Sequence, residues 1–395
     1  MTQRPPVAYP ISPTGARRAP IPYRTATLVP RYNAVGRWSL TTRLTEAVLP
    51  LLSGGWRIAW DGAPEPDYGG HVDYVRLEIS TGSDGKRLLL VTLSGPDNMA
   101  VLAERLAYPD PTQPVTNQAA QAYDVRSAAK ASTVILQYTQ RNAGHLAISG
   151  RPTPNFNSNI TDPLIGPSAK GKARFDPLLD LVGSIATTAG LRIAVPSTTL
   201  GARTLAITPC VDRTASARFS IALRTLKGLT YELRAPTGTY VVAGGRGEED
   251  SRDFRAANNA AAASAWRRVE TFTDARTSAA AGTDGGAELQ AAADQRLAET
   301  GPAETVDLVP LETSRLRYGV DYQLGDTVTG EVGMGTGLSV AATVQEVEIT
   351  IGRAPGRPLV RVEPRASTLA VRGRLATDRA LLDLIARVSR LERAQ

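Results

Sequence analysis

The sequence predicts a multidomain α+β protein in which β-structure dominates. Aromatic residues make up only 5% of the 395 residues, while glycine and proline number 35 and 27. This composition is typical of many short strands joined by turns, with cores of Val, Leu, Ile and Ala. Apolar and polar residues alternate in several segments, whereas Phe175–Gly190 has the periodicity of an amphipathic helix. The length predicts about two to four domains.

Cysteine content and hydropathy exclude several classes of protein. Cys210 is the single cysteine, so no disulfide can form within the chain. No run of about 18 apolar residues occurs, and we expect no membrane span. Residues 1–23 are rich in Pro and Arg and lack the apolar centre of a signal peptide. We therefore expect the protein to be made and assembled in the cytoplasm.

The net charge of +7 is concentrated at the two ends. Residues 1–24 hold four arginines and no acid, and residues 353–395 hold ten arginines and four acids, which leaves a mildly acidic body. Basic ends dock on acidic surfaces or nucleic acid, and solvated tails explain the same pattern equally well.

The N-terminal part predicts an extended arm followed by a strand-rich domain. Residues 1–21 are a Pro-rich arm. Residues 22–110 are predicted to form a small β-barrel or sandwich, with a short helix at Thr41–Leu52 and another that starts near Asp97. Its strands are predicted at Tyr23–Arg31, Trp56–Trp60, His71–Ser80 and Arg87–Ser94.

The middle part, residues 111–236, predicts an α/β domain. Helical patterns cover Arg126–Arg141 and Phe175–Gly190. In the second helix we expect Asp176 as the cap, Pro177 at the first helical position and Gly190 at the end. Strands are predicted to follow at Leu191–Val195, Thr204–Ile207 and Arg218–Leu223.

Residues 237–366 again predict a strand-rich domain, with a helix inserted at Gly286–Glu299. Its strands are predicted at Thr239–Ala243, Trp266–Phe272, Asp321–Val328, Leu338–Ile351 and Pro358–Val362.

The last segment, residues 367–395, predicts a helix with a heptad seam. The apolar residues that define the seam are Leu381, Leu384, Val388 and Leu391. Two heptads are too short to hold in water alone, so this helix needs an assembled neighbour or the body of its own chain.

The residues that carry enzyme chemistry are sparse, and we expect neither catalysis nor a cofactor. His71 and His145 lie far apart and have no metal ligand at a suitable spacing, and nothing pairs Cys210 with a base. The loop Gly244–Gly247 follows a strand but lacks the Lys-Ser/Thr of a phosphate-binding loop. The acidic run Glu248–Asp250 that follows is typical of a solvated surface.

Five motifs follow one another along the chain: YRTATLVPRYNAVGRWSLTT, SGPDNMAVLAERLAYPDP, RFSIALRTLKGLTYELRAPTGTYVVAGGRGEEDSR, WRRVETFTDAR and YGVDYQLGDTVT. In this order they resemble the siphovirus gp-thirty-seven-like group of minor tail proteins of actinobacterial phages. The resemblance covers about residues 23–365, and the abundance of arginine over lysine fits such a host.

This resemblance implies a non-enzymatic tail-tip, or baseplate hub, protein of the virion. It implies a homotrimer with two tube-type β-barrel domains per chain, at residues 22–110 and 237–366, that form a pseudo-sixfold ring under the hexameric tail tube. A trimeric coiled coil at residues 367–395 fits the same axis. The implied partners are the distal tail protein or tube ring, the tape measure protein, fibre or tip proteins, and DNA that passes non-specifically through the channel.

Two other functions stay open at this stage. A tail-tip adhesin would bind glycans through exposed tryptophans, although Trp38, Trp56, Trp60 and Trp266 lie in strand-like segments where core packing is more common. A cell-wall-degrading tail enzyme would need paired carboxylates or a metal, and no pair among the 38 acids is singled out.

Overall fold

The computed structural model describes residues 5–81, 87–198, 201–245, 252–275, 285–313, 315–331, 339–354 and 357–368. The fold is mostly β, as the sequence predicts. By packing, the chain divides into two units: Met1–Gly228 with Leu308–Ala366 forms unit 1, and Leu229–Asp307 with Ser367–Gln395 forms unit 2. The division of the chain into domains at residues 1–21, 22–110, 111–236, 237–366 and 367–395 remains a prediction from the sequence.

The described strands range from 2 to 16 residues in length, and the 16-residue strand lies near the end of the chain. They are β1 (Val7–Ile11), β2 (Thr25–Val29), β3 (Arg37–Arg43), β4 (Arg57–Asp61), β5 (Gly69–His71), β6 (Tyr74–Thr81), β7 (Arg87–Pro96), β8 (Leu106–Ala107), β9 (Asp124–Lys130), β10 (Phe156–Asn157), β11 (Ser168–Ala173), β12 (Asp176–Pro177), β13 (Leu191–Ala194), β14 (Arg203–Thr204), β15 (Ala206–Pro209), β16 (Arg218–Ser220), β17 (Leu226–Arg234), β18 (Tyr240–Gly244), β19 (Phe254–Asn258), β20 (Glu270–Asp274), β21 (Ala303–Pro310), β22 (Thr327–Glu331), β23 (Ser339–Ala354) and β24 (Arg357–Ser367).

The helices are α1 (Ala100–Ala103), α2 (Ala131–Asn142), α3 (Leu178–Thr188), α4 (Ala260–Ala265) and α5 (Gly285–Thr300). A 3-10 turn covers Leu49–Leu52, and 3-10 structure with a kink at Asn117 covers Val115–Ala120.

The main sheet of unit 1 joins strands from the two ends of the sequence. Its order is β24-β23-β2-β3-β7-β6. In addition, β22 pairs with the first half of β23, and β16 pairs with β22. β23 is long enough to pair with β22 through residues 339–343 and with β2 through residues 349–351. The chain passes between the units within β17, within β21 and at the end of β24.

The two closed barrels predicted at residues 22–110 and 237–366 are not found among the strands that the structure describes. The pairings of the main sheet run in an open order that ends at β6. β2 takes its second partner from β23 rather than from another strand of 22–110, so strands of both predicted barrels join in one sheet. Residues 5–21, predicted as an extended arm, contribute β1, which pairs with β4 and buries Ala8 and Ile11.

Helices α2 and α3 pack together in a separate core of unit 1. Leu178 and Val182 of α3 and Val134 and Ile135 of α2 are fully buried there. Tyr138 of α2 lies against the ribbon of β9 and β11, where a Cβ on Gly171 would come within 2.3 Å of its ring. Glycine at that position therefore allows the helix and the ribbon to touch.

Three predicted helices begin or extend differently in the structure. The first part of the predicted helix Arg126–Arg141 belongs to β9, because it pairs with β11, and the helix starts only at Ala131. Thr41–Arg43, the start of the predicted helix Thr41–Leu52, pairs with β7, which leaves a 3-10 turn at Leu49–Leu52. In α3 the cap is Pro177 rather than Asp176, because Asp176 and Pro177 pair with β8.

Unit 2 contains a small sheet covered by a helix. β18 is central, with β19 antiparallel on one side and β20 parallel on the other. Leu289 and Ala293 of α5 pack on the small side chains Ala243, Ala257 and Ala275. Small residues on the sheet let the Ala-rich helix approach closely, which explains why the predicted surface helix Gly286–Glu299 forms here.

Candidate functional site

The hairpin of β6 and β7 carries an apolar face that leads from the core of unit 1 into solvent. Across the hairpin, Val75 pairs with Leu93, Leu77 with Val91 and Ile79 with Leu89. Alternation along a strand puts these six side chains on one face. Val91 and Leu93 are fully buried, whereas Leu77 and Ile79 are 43% and 64% exposed.

The outer side of β6 ends the main sheet. No strand of the described part of the chain pairs with β6 on its far side. An edge strand presents unpaired backbone donors and acceptors, and exposed apolar side chains beside such an edge mark a place where another chain can dock. The opposite face of β6 carries Tyr74, Ser80 and the ion pair of Arg76 with Glu78, at 2.6 Å. The strand β6 itself therefore has one apolar face and one mainly polar face, although most of it lies in solvent.

Three distant segments of unit 1 meet in a buried polar cluster. The carboxylate of Glu65 accepts hydrogen bonds from Arg192 and from the hydroxyl of Tyr318. Burial, and then the charge of Glu65, raise the pKa of Tyr318 well above its ordinary value, so its hydroxyl stays a donor. The cluster ties the loop after β4 to β13 and to the loop before β22.

Asn33 makes a second connection to β13. Its Nδ2 donates to the carbonyl oxygen of Leu191 at 2.9 Å and to Thr187 Oγ1 at 3.0 Å, and its Oδ1 accepts from the amide of Ile193 at 2.8 Å. Its φ of 48° is left-handed, a conformation that asparagine tolerates better than most residues. Asn33 thus joins the turn between β2 and β3 to α3 and β13.

A pocket of about 220 Å³ lies beside the cluster and is lined by Glu65, Asp97, Arg192 and neighbouring backbone. Sites for small molecules usually enclose about 300–1,000 Å³. Burial raises the pKa of Asp97 to about 7, although the hydrogen bonds that its carboxylate accepts from backbone amides act to lower this pKa. The pocket is small for a substrate, and within it Glu65 and Arg192 are paired with each other while Asp97 accepts from backbone amides.

The residues considered for catalysis lie against unrelated partners. His71 Nε2 is 2.7 Å from Arg203 Nη1, and His145 Nδ1 is 3.0 Å from Ser158 Oγ. Cys210 Sγ is 3.5 Å from the hydroxyl of Tyr32, and burial raises the pKa of its thiol. The contact of His145 with Ser158 has the distance of a nucleophile–base pair, but Ser158 is 0% exposed, so its hydroxyl is closed to a substrate. His71 and Cys210 lie against other partners.

Within the described ranges, no group of three or more potential ligands is placed to hold a metal ion. No helix in that part of the chain has the length and apolar character to cross a membrane. Residues 246–251, which include the acidic run Glu248–Asp250, lie outside the described residues, as does the predicted seam of Leu381, Leu384, Val388 and Leu391.

The tryptophans considered for glycan binding differ in burial. Trp38 and Trp60 are 2% and 1% exposed and belong to the core, as the strand pattern predicts. Trp266, by contrast, ends α4 and is 41% exposed.

Sequence reasoning found the alternation of β6 but missed the cluster around Glu65. The only local signal of the hairpin face is the spacing of Val75, Leu77 and Ile79, which the strand pattern already contains. Glu65 and Arg192 are 127 residues apart, and nothing in the sequence near either one points to the other.

Comparison with known proteins places the chain among phage proteins. Residues 13–362 match the model of the family described as Siphovirus ReqiPepy6 Gp37-like protein. No curated protein matches the sequence. The fold is similar to the 43 kDa tail protein of prophage MuSo2 from Shewanella oneidensis, with a TM-score of 0.54 and 12% identity, covering 93% of this chain and 98% of that one.

Two further solved structures share the fold over nearly their whole length. The tail protein from Neisseria meningitidis MC58 has a TM-score of 0.50 and 13% identity, covering 93% of this chain and 98% of that chain. Prophage tail protein gp18 from Listeria monocytogenes EGD-e has a TM-score of 0.50 and 9% identity, covering 97% and 98%. At these identities the similarity is one of fold.

Proposed function

Since this chain belongs to the family of Siphovirus ReqiPepy6 Gp37-like proteins, we propose that it is a non-enzymatic structural subunit of the distal tail tip of a long-tailed phage. The family match includes all five motifs and confirms the resemblance predicted from them. In this proposal the subunit works in the virion, as part of the baseplate hub that joins the hexameric tail tube to the tip or fibre proteins. Its other neighbours are the distal tail protein and the tape measure protein.

Three copies form a ring around the channel through which DNA leaves. In such a ring each copy meets the next through two different surfaces, so one exposed apolar patch per chain is repeated at every contact. The ring would be pseudo-sixfold through the two strand groups of the main sheet, β2-β3-β7-β6 from the N-terminal part and β22-β23-β24 from the C-terminal part. DNA contact in the channel would be electrostatic and independent of base sequence.

The observation that carries the ring is the exposed apolar face of the β6–β7 hairpin. Burying a leucine or isoleucine side chain stabilises a contact by about 1.5–3 kcal/mol. Leu77 and Ile79 lie beside the free edge of β6, where a neighbouring copy covers side chains and backbone together. A contact between subunits would thus cover apolar side chains and edge backbone groups that are exposed to water in the monomer.

We expect the purified chain to form trimers, and Leu77→Asp or Ile79→Asp to weaken them at least about tenfold, because each places a charge in the apolar contact. Mass photometry over a concentration series measures the trimer fraction. Ser80→Asp is the matched control, because it places the same charge on the opposite face of the same strand.

All three positions are exposed, so thermal unfolding should change little. A wild-type chain that stays monomeric at high concentration, or equal trimer fractions for Leu77→Asp and Ser80→Asp, would contradict the ring. A receptor-binding adhesin would be favoured instead if the isolated chain binds to host cells and the substitution Trp266→Ala abolishes this binding. Trp266 is chosen because its side chain is exposed.

A further inference from the structure

Two arginine side chains lie buried side by side in unit 1. Arg57 on β4 is 5% exposed and Arg203 on β14 is 3% exposed. Arg57 lies directly opposite His71 in the antiparallel pairing of β4 with β5. Arg203 Nη1 is 2.7 Å from Nε2 of the same histidine. His71 thus brings the two guanidinium groups into one small region.

The partners of both guanidinium groups are neutral. Arg57 Nη2 donates to the carbonyl oxygen of Gly201 at 2.7 Å, and Arg203 Nη2 donates to that of Pro154 at 2.5 Å. Arg203 Nε is buried and has no hydrogen-bond partner in the part of the chain that the structure describes. Neither arginine forms an ion pair with a carboxylate among those residues.

The surroundings add more positive charge than negative. Arg105 acts on Arg203 as a further like charge, and its own Nε is also buried without a partner in the described chain. Glu104 is the acid that acts on Arg203, from beyond ion-pair distance, and its residue is exposed. Burial, and then Arg203 and Arg57, lower the pKa of His71 to about 4. At neutral pH the histidine is therefore uncharged and accepts a hydrogen bond from Arg203.

Two buried cations without an anion are costly, since a buried charge normally needs a partner. We propose that Arg57 and Arg203 hold a small oxyanion of the phosphate or sulfate class as a structural counter-ion. The planar guanidinium fork matches the oxygens of such anions. A carboxylate of a partner protein is the weaker fit, because both side chains are covered by their own chain. This site does not depend on the tail-tip assignment.

The first test follows His71 by NMR, with inorganic phosphate as the probe and sodium chloride at equal ionic strength as the reference. The chain has two histidines, and His145, hydrogen-bonded to Ser158, serves as an internal standard. A bound anion offsets the charge of the two arginines, so phosphate should raise the pKa of His71 by about one unit and leave His145 unchanged. An identical titration of His71 in both salts would overturn the proposal.

The second test compares thermal unfolding of variants in the same two buffers. Phosphate should raise the Tm of the wild type, and Arg57→Gln should abolish that increase, because the variant removes one of the two cations. Arg43→Gln, which changes an exposed arginine on β3, should keep the increase. A Tm of the wild type that is equal in phosphate and chloride, or an Arg57→Gln variant that keeps the full response, would refute the site. Where Arg57→Gln does not fold, the His71 titration of the wild type decides.

Discussion

Replacing Glu65 by alanine is expected to lower the free energy of unfolding by about 3–5 kcal/mol, because it breaks a buried ion pair by removing one partner. Both carboxylate oxygens of Glu65 are used, one by Arg192 and one by the hydroxyl of Tyr318. Without them a largely buried guanidinium and a buried hydroxyl lose their main partner. Among the described residues, Arg192 makes one further side-chain hydrogen bond, from Nη1 to Gln323 Oε1 at 3.4 Å.

Urea unfolding followed by circular dichroism measures this loss. Glu78→Ala is the matched control, because it removes the same side chain from an ion pair whose partners are 60% and 49% exposed. Exposed pairs contribute about 0–1 kcal/mol, so the control should change little. Glu65→Leu combined with Arg192→Met should recover much of the stability, since an apolar pair replaces the whole ion pair. Equal losses for Glu65→Ala and Glu78→Ala would show that the cluster does not hold the three segments together.

The second large effect is a pH dependence in which Asp97 and His71 act in opposite directions. Burial raises the pKa of Asp97 from 3.8 to about 7. The unfolded chain therefore loses this proton first as pH rises, and stability falls between these values. The pKa of His71 is lowered from 6.5 to about 4. Here the unfolded chain takes up the proton first as pH falls, so stability rises with pH from 4 to 6.5.

Asp97→Asn should isolate the first contribution. Its side-chain oxygen can still accept from the amide of Met99, which is 3.0 Å from Asp97 Oδ1. Relative to the wild type, the variant should gain about 4 kcal/mol in free energy of unfolding as pH rises through the window of Asp97. Urea unfolding at several pH values measures the difference, and titrations common to both chains cancel. A difference that is flat across this window would contradict the raised pKa.

His71→Gln should give a difference of the opposite sign. The glutamine oxygen can accept from Arg203, and the variant should lose about 2 kcal/mol relative to the wild type as pH rises through the window of His71. This value is smaller because solvent partly screens a side chain that is not fully buried. A difference that rises with pH would contradict the direction of the shift.

Local patterns predicted strands and helices well where neighbours in sequence decide the structure. β4, β7, α3 and α5 lie where alternation or helical periodicity places them. Two of the failures share one cause, since Arg126–Lys130 and Thr41–Arg43 are strands only because β11 and β7 pair with them. At both segments, pairing with a strand distant in sequence overrode the helical preference of the local sequence.

The sequence by itself determined the β-rich character, the two faces of β6 and the family, because composition, alternation and ordered motifs are properties of neighbouring residues. Only the tertiary structure decided that β2 pairs with β23 and that Glu65 accepts hydrogen bonds from Arg192 and Tyr318. It also decided that Arg57 and Arg203 are both buried. These contacts join residues more than a hundred positions apart. Their free energy arises when water is excluded around both partners, and no periodicity within either segment records which partner that will be.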